Sequence, residues 1–311
     1  MKFTQFELKG KDGTVFQAYS WTPGLLKKTR ALFIIIHGMA EHAQRYQPFA
    51  NFLTSQGFSV YALDLRGHGK TAGSVDKLGI LSEEEGWEKM LSDVDLLVEG
   101  AKAENPGLSV VLFGHSMGTI LARQYHARRG ETLAGLILSG VIYPLGLLAP
   151  IGKLLTNLEI LRLGKEGKSS LLHKMNFGSH NKPFMPARTE FDWLSRKEEE
   201  VDAYVEDPFC GSIFTTGFYK NLLSGIASLE KPGALSKIPK QVPIYIYGGE
   251  KDPVGKFGRS LIHLENLYRL HGVKDITIKI YKNGRHESNN EINREEVFQD
   301  LQDWLDTHIL H

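Results

Sequence analysis

Apolar runs recur along the chain at 31–37 (ALFIIIH), 58–63 (FSVYAL), 108–113 (LSVVLF), 133–138 (LAGLIL), 242–247 (VPIYIY) and 275–281 (DITIKIY). They read as continuous rather than alternating, as expected of parallel strands covered on both faces. Helical periodicity falls between them: Trp87, Met90, Leu91, Val94, Leu97, Val98 and Ala101 mark a helix over 84–103, and Val297, Phe298, Leu301, Trp304 and Leu305 mark the last one. The first 21 residues alternate apolar and polar around "KDG", the pattern of an antiparallel strand pair. Strands alternating with helices predict an α/β protein with a mostly parallel central sheet and helices on both faces.

The alternation breaks once. Between Ser139 and Val242 about a hundred residues show no strong strand pattern, too long for a structureless loop. They carry a periodic apolar stretch (Ile151, Leu154, Leu155, Leu158, Leu161) and an acidic helix start at "SRKEEEVDAYVEDP". Residues 1–140 and 241–311 are therefore expected to form the core, with 141–240 a mostly helical cap inserted over the C-terminal edge of the sheet. Open α/β sheets place their sites at that edge.

Composition narrows the partners. Lys plus Arg number 37 and Asp plus Glu 36, for a net charge of +1, so no field of one sign recruits nucleic acid. Hydrophobic residues make up 41%, enough for a buried core. Cys210 is the single cysteine, which rules out an intrachain disulfide and disfavours a thiol zinc cluster. The N-terminus lacks a signal-peptide core and no apolar run is long enough to span a bilayer. A reducing, cytoplasmic location is the expectation; oligomeric state is not legible.

The stretch "VVLFGHSMGTIL" (110–121) passes from strand pattern to helix pattern with no ordinary loop between. A strand that turns straight into a helix forces the residue at the turn into a strained backbone. Side chains two positions to either side would collide, so Gly114 and Gly118 flank Ser116. The hydroxyl then projects from the sheet edge above the positive end of the following helix. A serine hydroxyl needs a base in hydrogen-bond reach, and the base needs an orienting carboxylate. In such elbows the acid and then the histidine follow the serine, each in a loop after a later strand. Strand 242–247 runs into "GGEKDPVG", offering Asp252, with Glu250 as runner-up; strand 275–281 runs into "KNGRHES", offering His286. Among later histidines, His263 and His271 fall on a helix and His308 and His311 in a fraying tail.

Attack creates an oxyanion that needs donors already aimed at it. The backbone N–H of Met117 follows the nucleophile, and the loop "HGMAEH" offers Met39 N–H, with Gly38 letting the backbone turn inward. His37 ends a strand and is read as a brace. Two decoys fall away. "GKT" at 69–71 lacks the phosphate-loop glycine, since Asp64 stands there, and Asn290 occupies the place of a second zinc histidine after "HES". No metal or cofactor is implied.

On "HGMAEHAQRY" (37–46), "DLRGHGKT" (64–71), "GHSMG" (114–118), "GGEKDPVG" (248–255) and "GRHESNNEINREEV" (284–297), and so over nearly its whole length, the chain resembles the α/β-hydrolase superfamily. Within it, the resemblance is to the monoacylglycerol lipase and lysophospholipase-like branch that borders the serine aminopeptidases. The resemblance implies a helical cap, cofactor-free ester hydrolysis, a triad on Ser116, Asp252 and His286, and oxyanion donors on Met39 and Met117. Lys70-Thr71-Ala72 after "RGHG" depart from the family pattern without touching the chemistry. Cap sequences diverge most, so substrate identity transfers least.

The expected reaction is acyl transfer through an acyl-enzyme, on a monoglyceride or lysophospholipid. Gly38, Ile142, Tyr143, Leu145 and Leu147 are the candidate substrate-binding residues. The apolar segment from Leu145 through Leu148, Ile151, Leu154 and Leu155 could line an acyl tunnel, touch a membrane or micelle, or simply pack the cap on the core. An aminopeptidase would instead need a cap carboxylate, for which Glu159, Glu190 and Glu206 are available. A non-catalytic ligand-binding protein of the same fold is the third reading.

Overall fold

The computed structural model describes residues 1–24, 28–82, 84–231 and 233–309. Strands form at the predicted runs: β1 (Lys2–Lys9), β2 (Val15–Thr22), β3 (Ala31–Ile36), β4 (Phe58–Leu63), β5 (Val110–His115), β6 (Gly135–Ser139), β7 (Ile244–Gly249) and β8 (Ile276–Tyr281). They make one sheet of order β1-β2-β4-β3-β5-β6-β7-β8. β1 and β2 form the antiparallel pair expected at the N-terminus, and β2 meets β4 antiparallel. From β4 to β8 every neighbouring pair is parallel.

The helices are α1 (Gln47–Ser55), α2 (Gly86–Glu104), α3 (Met117–Arg129), α4 (Ala149–Leu163), α5 (Ser170–Phe177), α6 (Glu198–Glu206), α7 (Thr216–Glu230), α8 (Arg259–Leu270) and α9 (Arg294–His308). Successive strand residues point to opposite faces, and both faces are covered. In β3, Phe33 and Ile35 join a core with Phe49 and Leu53 of α1 and Leu301 and Trp304 of α9. Leu32, Ile34 and Ile36 join the other, with Met90 and Val94 of α2 and Ile120 of α3. Each such buried side chain stabilises the fold by roughly 1.5–3 kcal/mol relative to exposure. β8 differs from its neighbours: only its end residues are buried, because it is an edge strand with one partner. His308, expected to fray, ends α9 with Nδ1 donating to Trp304 O at 2.8 Å. His311 lies outside the described residues.

Between β6 and β7 the chain forms α4 to α7. α7 seals this segment to the core through Phe218, Tyr219, Leu222 and Leu229, which belong to the same cluster as Ile120 and Leu136. Its closest approach is at Gly225, where a Cβ would lie 2.2 Å from the Trp87 ring. Gln124 completes the joint, accepting from Trp87 Nε1 at 2.6 Å and donating to Gly225 O at 3.1 Å. α4 behaves differently. Leu147, Leu148, Ile151, Leu154, Leu158 and Leu161 are exposed, while Leu145 and Leu155 are half-buried and Thr156 and Glu159 buried, so α4 packs along a narrow face and leaves most of its leucines in solvent.

Because β3, β5, β6, β7 and β8 run parallel, the loops after them gather at one edge of the sheet. Those loops carry His37 to Ala40, Ser116, Gly140, Glu250 to Gly258 and Asn283 to Glu291.

Candidate active site

Ser116 is the single residue between β5 and α3, with φ 51° and ψ −119°. A non-glycine residue held in this region is strained. Its neighbours show why glycine is required. A Cβ on Gly114 would lie 2.5 Å from Gly118 O, and one on Gly118 would lie 2.3 Å from Ile36 O. The second clash is with β3 rather than with the turn, so Gly118 serves helix-to-sheet contact as much as the elbow. Ser116 N–H donates to Ser139 O at 2.9 Å and Thr119 Oγ1 donates to Ser116 O at 2.6 Å, which fixes the turn.

Asp252 and His286, far apart in the chain, meet in a buried pair with Nδ1 donating to Oδ2 at 2.9 Å. The second carboxylate oxygen accepts Val254 N–H at 2.9 Å. Burial pushes the Asp252 carboxyl up, but the His286 charge and the hydrogen bonds from His286, Val254 and Gly255 outweigh it and leave it lowered. For His286 burial works against the charged ring, and the carboxylate beside it prevails and raises the imidazole. With Nδ1 engaged, Nε2 is the ring nitrogen free for proton transfer. Glu250, the runner-up acid, is turned to the surface, where Oε2 accepts Asn283 N–H at 3.0 Å.

The imidazole is held in place by several contacts. His286 N–H donates to Trp193 O at 3.3 Å, and the Trp193 and His115 rings lie 5.1 and 4.8 Å from the imidazole. Gly140, at φ 60°, leaves room for it: a Cβ there would sit 2.9 Å from His286 Cε1. Among the described residues the Ser116 hydroxyl makes no hydrogen bond to this ring, and Ser116 opens instead onto a cavity of about 370 Å³. Met39 and Met117 line the same cavity. Met117 N–H is one of the free donors in the first turn of α3.

Ile142, Tyr143 and Leu145 also line this cavity. Two expectations are corrected. Leu147 is 94% exposed and outside the cavity, because it precedes α4 on its solvent side. Gly38 is a close-approach residue and not a wall: a Cβ there would lie 2.8 Å from Glu41 Oε1 and 3.2 Å from Ser116 Cβ. His37 is a brace, as expected, with Nδ1 donating to Gly38 O at 2.7 Å and Nε2 accepting Leu65 N–H at 2.9 Å.

Two features escaped the sequence. The first is a buried charge cluster behind the Met39 loop. Glu41 Oε1 accepts Gly38 N–H at 2.6 Å and the Tyr46 hydroxyl at 2.8 Å; Arg45 reaches both Glu41 and Glu287. Tyr204 of α6 lies under Arg45 and donates to Ala40 O at 2.9 Å. The second is α7, whose N-cap Thr215 accepts Phe218 N–H at 3.2 Å. "TTGFYKNLL" carries that cap signal in plain view.

The cavity wall is mostly apolar, with Thr156, Asn176, Ser179, His180 and Lys256 among its polar members. Among the described residues no Asp or Glu lines it. Glu159, one of the carboxylates an aminopeptidase would need, is bound to Arg162 and Ser169. One set that could hold a metal ion, His42, Asp207 and Cys210, lies outside the cavity, its ligand atoms within 4.8 Å of one another.

The chain is similar to known proteins over nearly its whole length. The family model described as serine aminopeptidase, S33, matches residues 27–293. A monoacylglycerol lipase of Mycolicibacterium smegmatis is 28% identical, across 93% of this chain and 92% of the relative. The human monoglyceride lipase is also 28% identical, across 96% of this chain and 89% of the relative. The structure of a highly thermostable carboxyl esterase from Bacillus coagulans superimposes with a TM-score of 0.89 at 26% identity, covering 99% of each chain.

Proposed function

The chain belongs to the serine aminopeptidase family S33 within the α/β-hydrolase fold, and from that premise we propose that it hydrolyses carboxylic esters of monoacylated lipids, monoacylglycerols or lysophospholipids. Ser116 Oγ attacks the ester carbonyl as His286 Nε2 takes its proton, and Asp252 orients the ring and stabilises its charged form. Met39 and Met117 N–H receive the oxyanion. The alcohol leaves with the proton from His286, and water, deprotonated by the same ring, cleaves the acyl-enzyme.

The observation that carries this reading is the buried Asp252–His286 pair at the sheet edge where the strained Ser116 faces an apolar cavity. An ester with a long acyl chain suits such a wall. An aminopeptidase substrate, with its charged amine, would face no carboxylate there among the described residues. The relatives named as monoglyceride lipases point the same way. Residues 141–240 act as a cap, with the exposed α4 face touching lipid while the acyl chain passes beside Leu148 and Ile151. Among the described residues no helix is long and apolar enough to cross a membrane. A cytoplasmic location is part of the proposal.

The test is a panel of monoacylglycerols, lysophospholipids, short nitrophenyl esters and proline amides, run beside Ser116→Ala. Hydrolysis of the monoacyl lipids, lowered roughly 10³-fold or more in the variant, is the expected result. A Ser116→Ala protein with near-full esterase activity, or a preference for the amides, overturns the reading.

A further inference from the structure

Apolar residues line the cavity throughout, with Leu172, Met175, Phe177 and Val254 beside the polar Asn176, Ser179, His180 and Lys256. Of these polar residues, His180 lies on the imidazole side. His180 packs against Trp193 with ring centroids 4.6 Å apart, and Trp193 packs against His286 at 5.1 Å. The charge of Lys256 is felt at His180, which burial first, then the His286 and Lys256 charges, lower to about 4. His180 is therefore neutral at physiological pH, and Nδ1 is buried without a partner.

Lys256 sits on the same loop as Asp252, and its backbone is held there at a cost. Lys256, Phe257 and Gly258 have φ of 51°, 59° and 80° in succession. For the two non-glycine residues this left-handed conformation is unfavourable by about 1 kcal/mol or more each. Phe257 N–H donates to Asp252 O at 2.8 Å and Lys256 N–H to Pro253 O at 3.3 Å, which ties the turn to the catalytic acid. Among the described residues Lys256 has no ion-pair partner, and it is the one charged residue lining the cavity.

The chemistry of acyl transfer says which part of the substrate comes here. The leaving oxygen must lie at the imidazole to receive its proton, so the alcohol half of the ester occupies the imidazole side and the acyl half the other. Resting on the ester-hydrolase reading above, we propose that Lys256, with His180, Asn176 and Ser179, forms a head-group subsite for an anion, so that the favoured substrate is a monoacyl ester whose alcohol bears a phosphate. A neutral glycerol head would leave the cation unpaired. A phosphate would gain a charge-assisted contact with Lys256, which is exposed at the cavity mouth, so the contact is open to screening by salt.

The experiment compares kcat/KM for 1-oleoyl-glycerol 3-phosphate and 1-oleoyl-glycerol in the unaltered protein, Lys256→Ala, Lys256→Arg and Lys256→Glu, at two ionic strengths. The expected result is a preference for the phosphate ester that falls about tenfold in Lys256→Ala, survives in Lys256→Arg, reverses in Lys256→Glu, and is carried mainly by KM. A tenfold change corresponds to about 1.4 kcal/mol. High salt narrows the preference. As a second readout, dodecyl phosphate should inhibit hydrolysis of a nitrophenyl ester more strongly than dodecanol, and inorganic phosphate far less than either, since the alkyl chain supplies the rest of the affinity. Equal use of the two lipids, with a ratio unmoved by any of the three variants, overturns the subsite while leaving ester hydrolysis standing. Failure to hydrolyse any ester, nitrophenyl substrates included, overturns both.

Discussion

Arg45 grips Glu287, the residue that follows His286, through two parallel N–H···O bonds of 2.8 Å. The same guanidinium reaches Glu41 Oε2 at 2.6 Å, and Glu41 holds the Gly38 amide at the start of the Met39 loop. One nearly buried cation thus ties the Met39 loop, proposed to offer an oxyanion donor, to the loop that carries the imidazole. Burial pushes the Glu287 carboxyl up, but Arg45 overrides this and holds it well below the ordinary carboxylate range.

Arg45→Ala leaves two carboxylates buried without their counter-charge. The expected loss is on the order of 3–5 kcal/mol of stability, with kcat falling because both loops loosen. Thermal denaturation read beside kcat checks it, and an unchanged melting temperature would remove the cluster from any structural role. Arg45→Lys should recover only part of the loss, since an ammonium cannot make the paired contact to Glu287.

The pH dependence follows from the Asp252–His286 pair, which titrates as a unit. As the proposed base, His286 must be neutral to accept the Ser116 proton, and its pKa is raised. Activity should therefore climb with pH through a midpoint above the ordinary histidine value of about 6.5. Stability runs the other way on that limb. A raised histidine stabilises fully below its unfolded pKa and loses that contribution as pH rises through the folded one. The lowered Asp252 stabilises above its unfolded value and loses that as pH falls through the folded one. The pair therefore stabilises most between about pH 4 and 6.5. Asp252→Asn should cost more melting temperature at pH 5.5 than at pH 9; equal losses at both would contradict the assignment.

Gly140→Ala probes the seat of the imidazole. Its Cβ would meet His286 Cε1 at 2.9 Å from a backbone at φ 60°. Turnover should fall by about tenfold or more with a displaced ring, while the far-ultraviolet circular dichroism stays that of the folded protein. Wild-type kcat in this variant would show that the ring has more freedom than its contacts imply.

The bare face of α4 gives a prediction about interfaces. Leu158 and Leu161, exposed by 51% and 84% and outside the cavity, are replaced together by Gln. Co-sedimentation with lipid vesicles should drop, along with the ratio of activity on dispersed long-chain ester to activity on a soluble short one. Each exposed leucine inserted into the interface contributes roughly 1–3 kcal/mol. Undiminished vesicle binding would end the proposal of lipid contact.

Much of this molecule was readable in advance because its central strands are buried on both faces. β3, β4, β5 and β7 have no exposed position, so their apolar runs are unbroken and their ends fall where the loops begin. Ser116 was legible for a related reason, since the two glycines are forced by backbone contacts that hold whatever the rest of the fold does. Arg45 and Glu287 were not. They are separated by 242 positions, and nothing local marks an arginine as the partner of one distant glutamate. α4 fell between these cases. Its periodicity announces a helix with an apolar face but not what that face meets, and here it meets solvent.

The joint at Gly225 and Trp87 has a consequence for how such proteins can diversify. Before α7 the inserted segment reaches that interior through Leu172 and Phe214, whereas α7 fills it along its length with Phe218, Tyr219, Leu222 and Leu229 beside Ile120. A chimera that grafts a relative's segment 142–213 must supply equivalents of Leu172, Trp193 and Tyr204, and one that carries the graft on through residue 230 must rebuild the whole α7 interior as well.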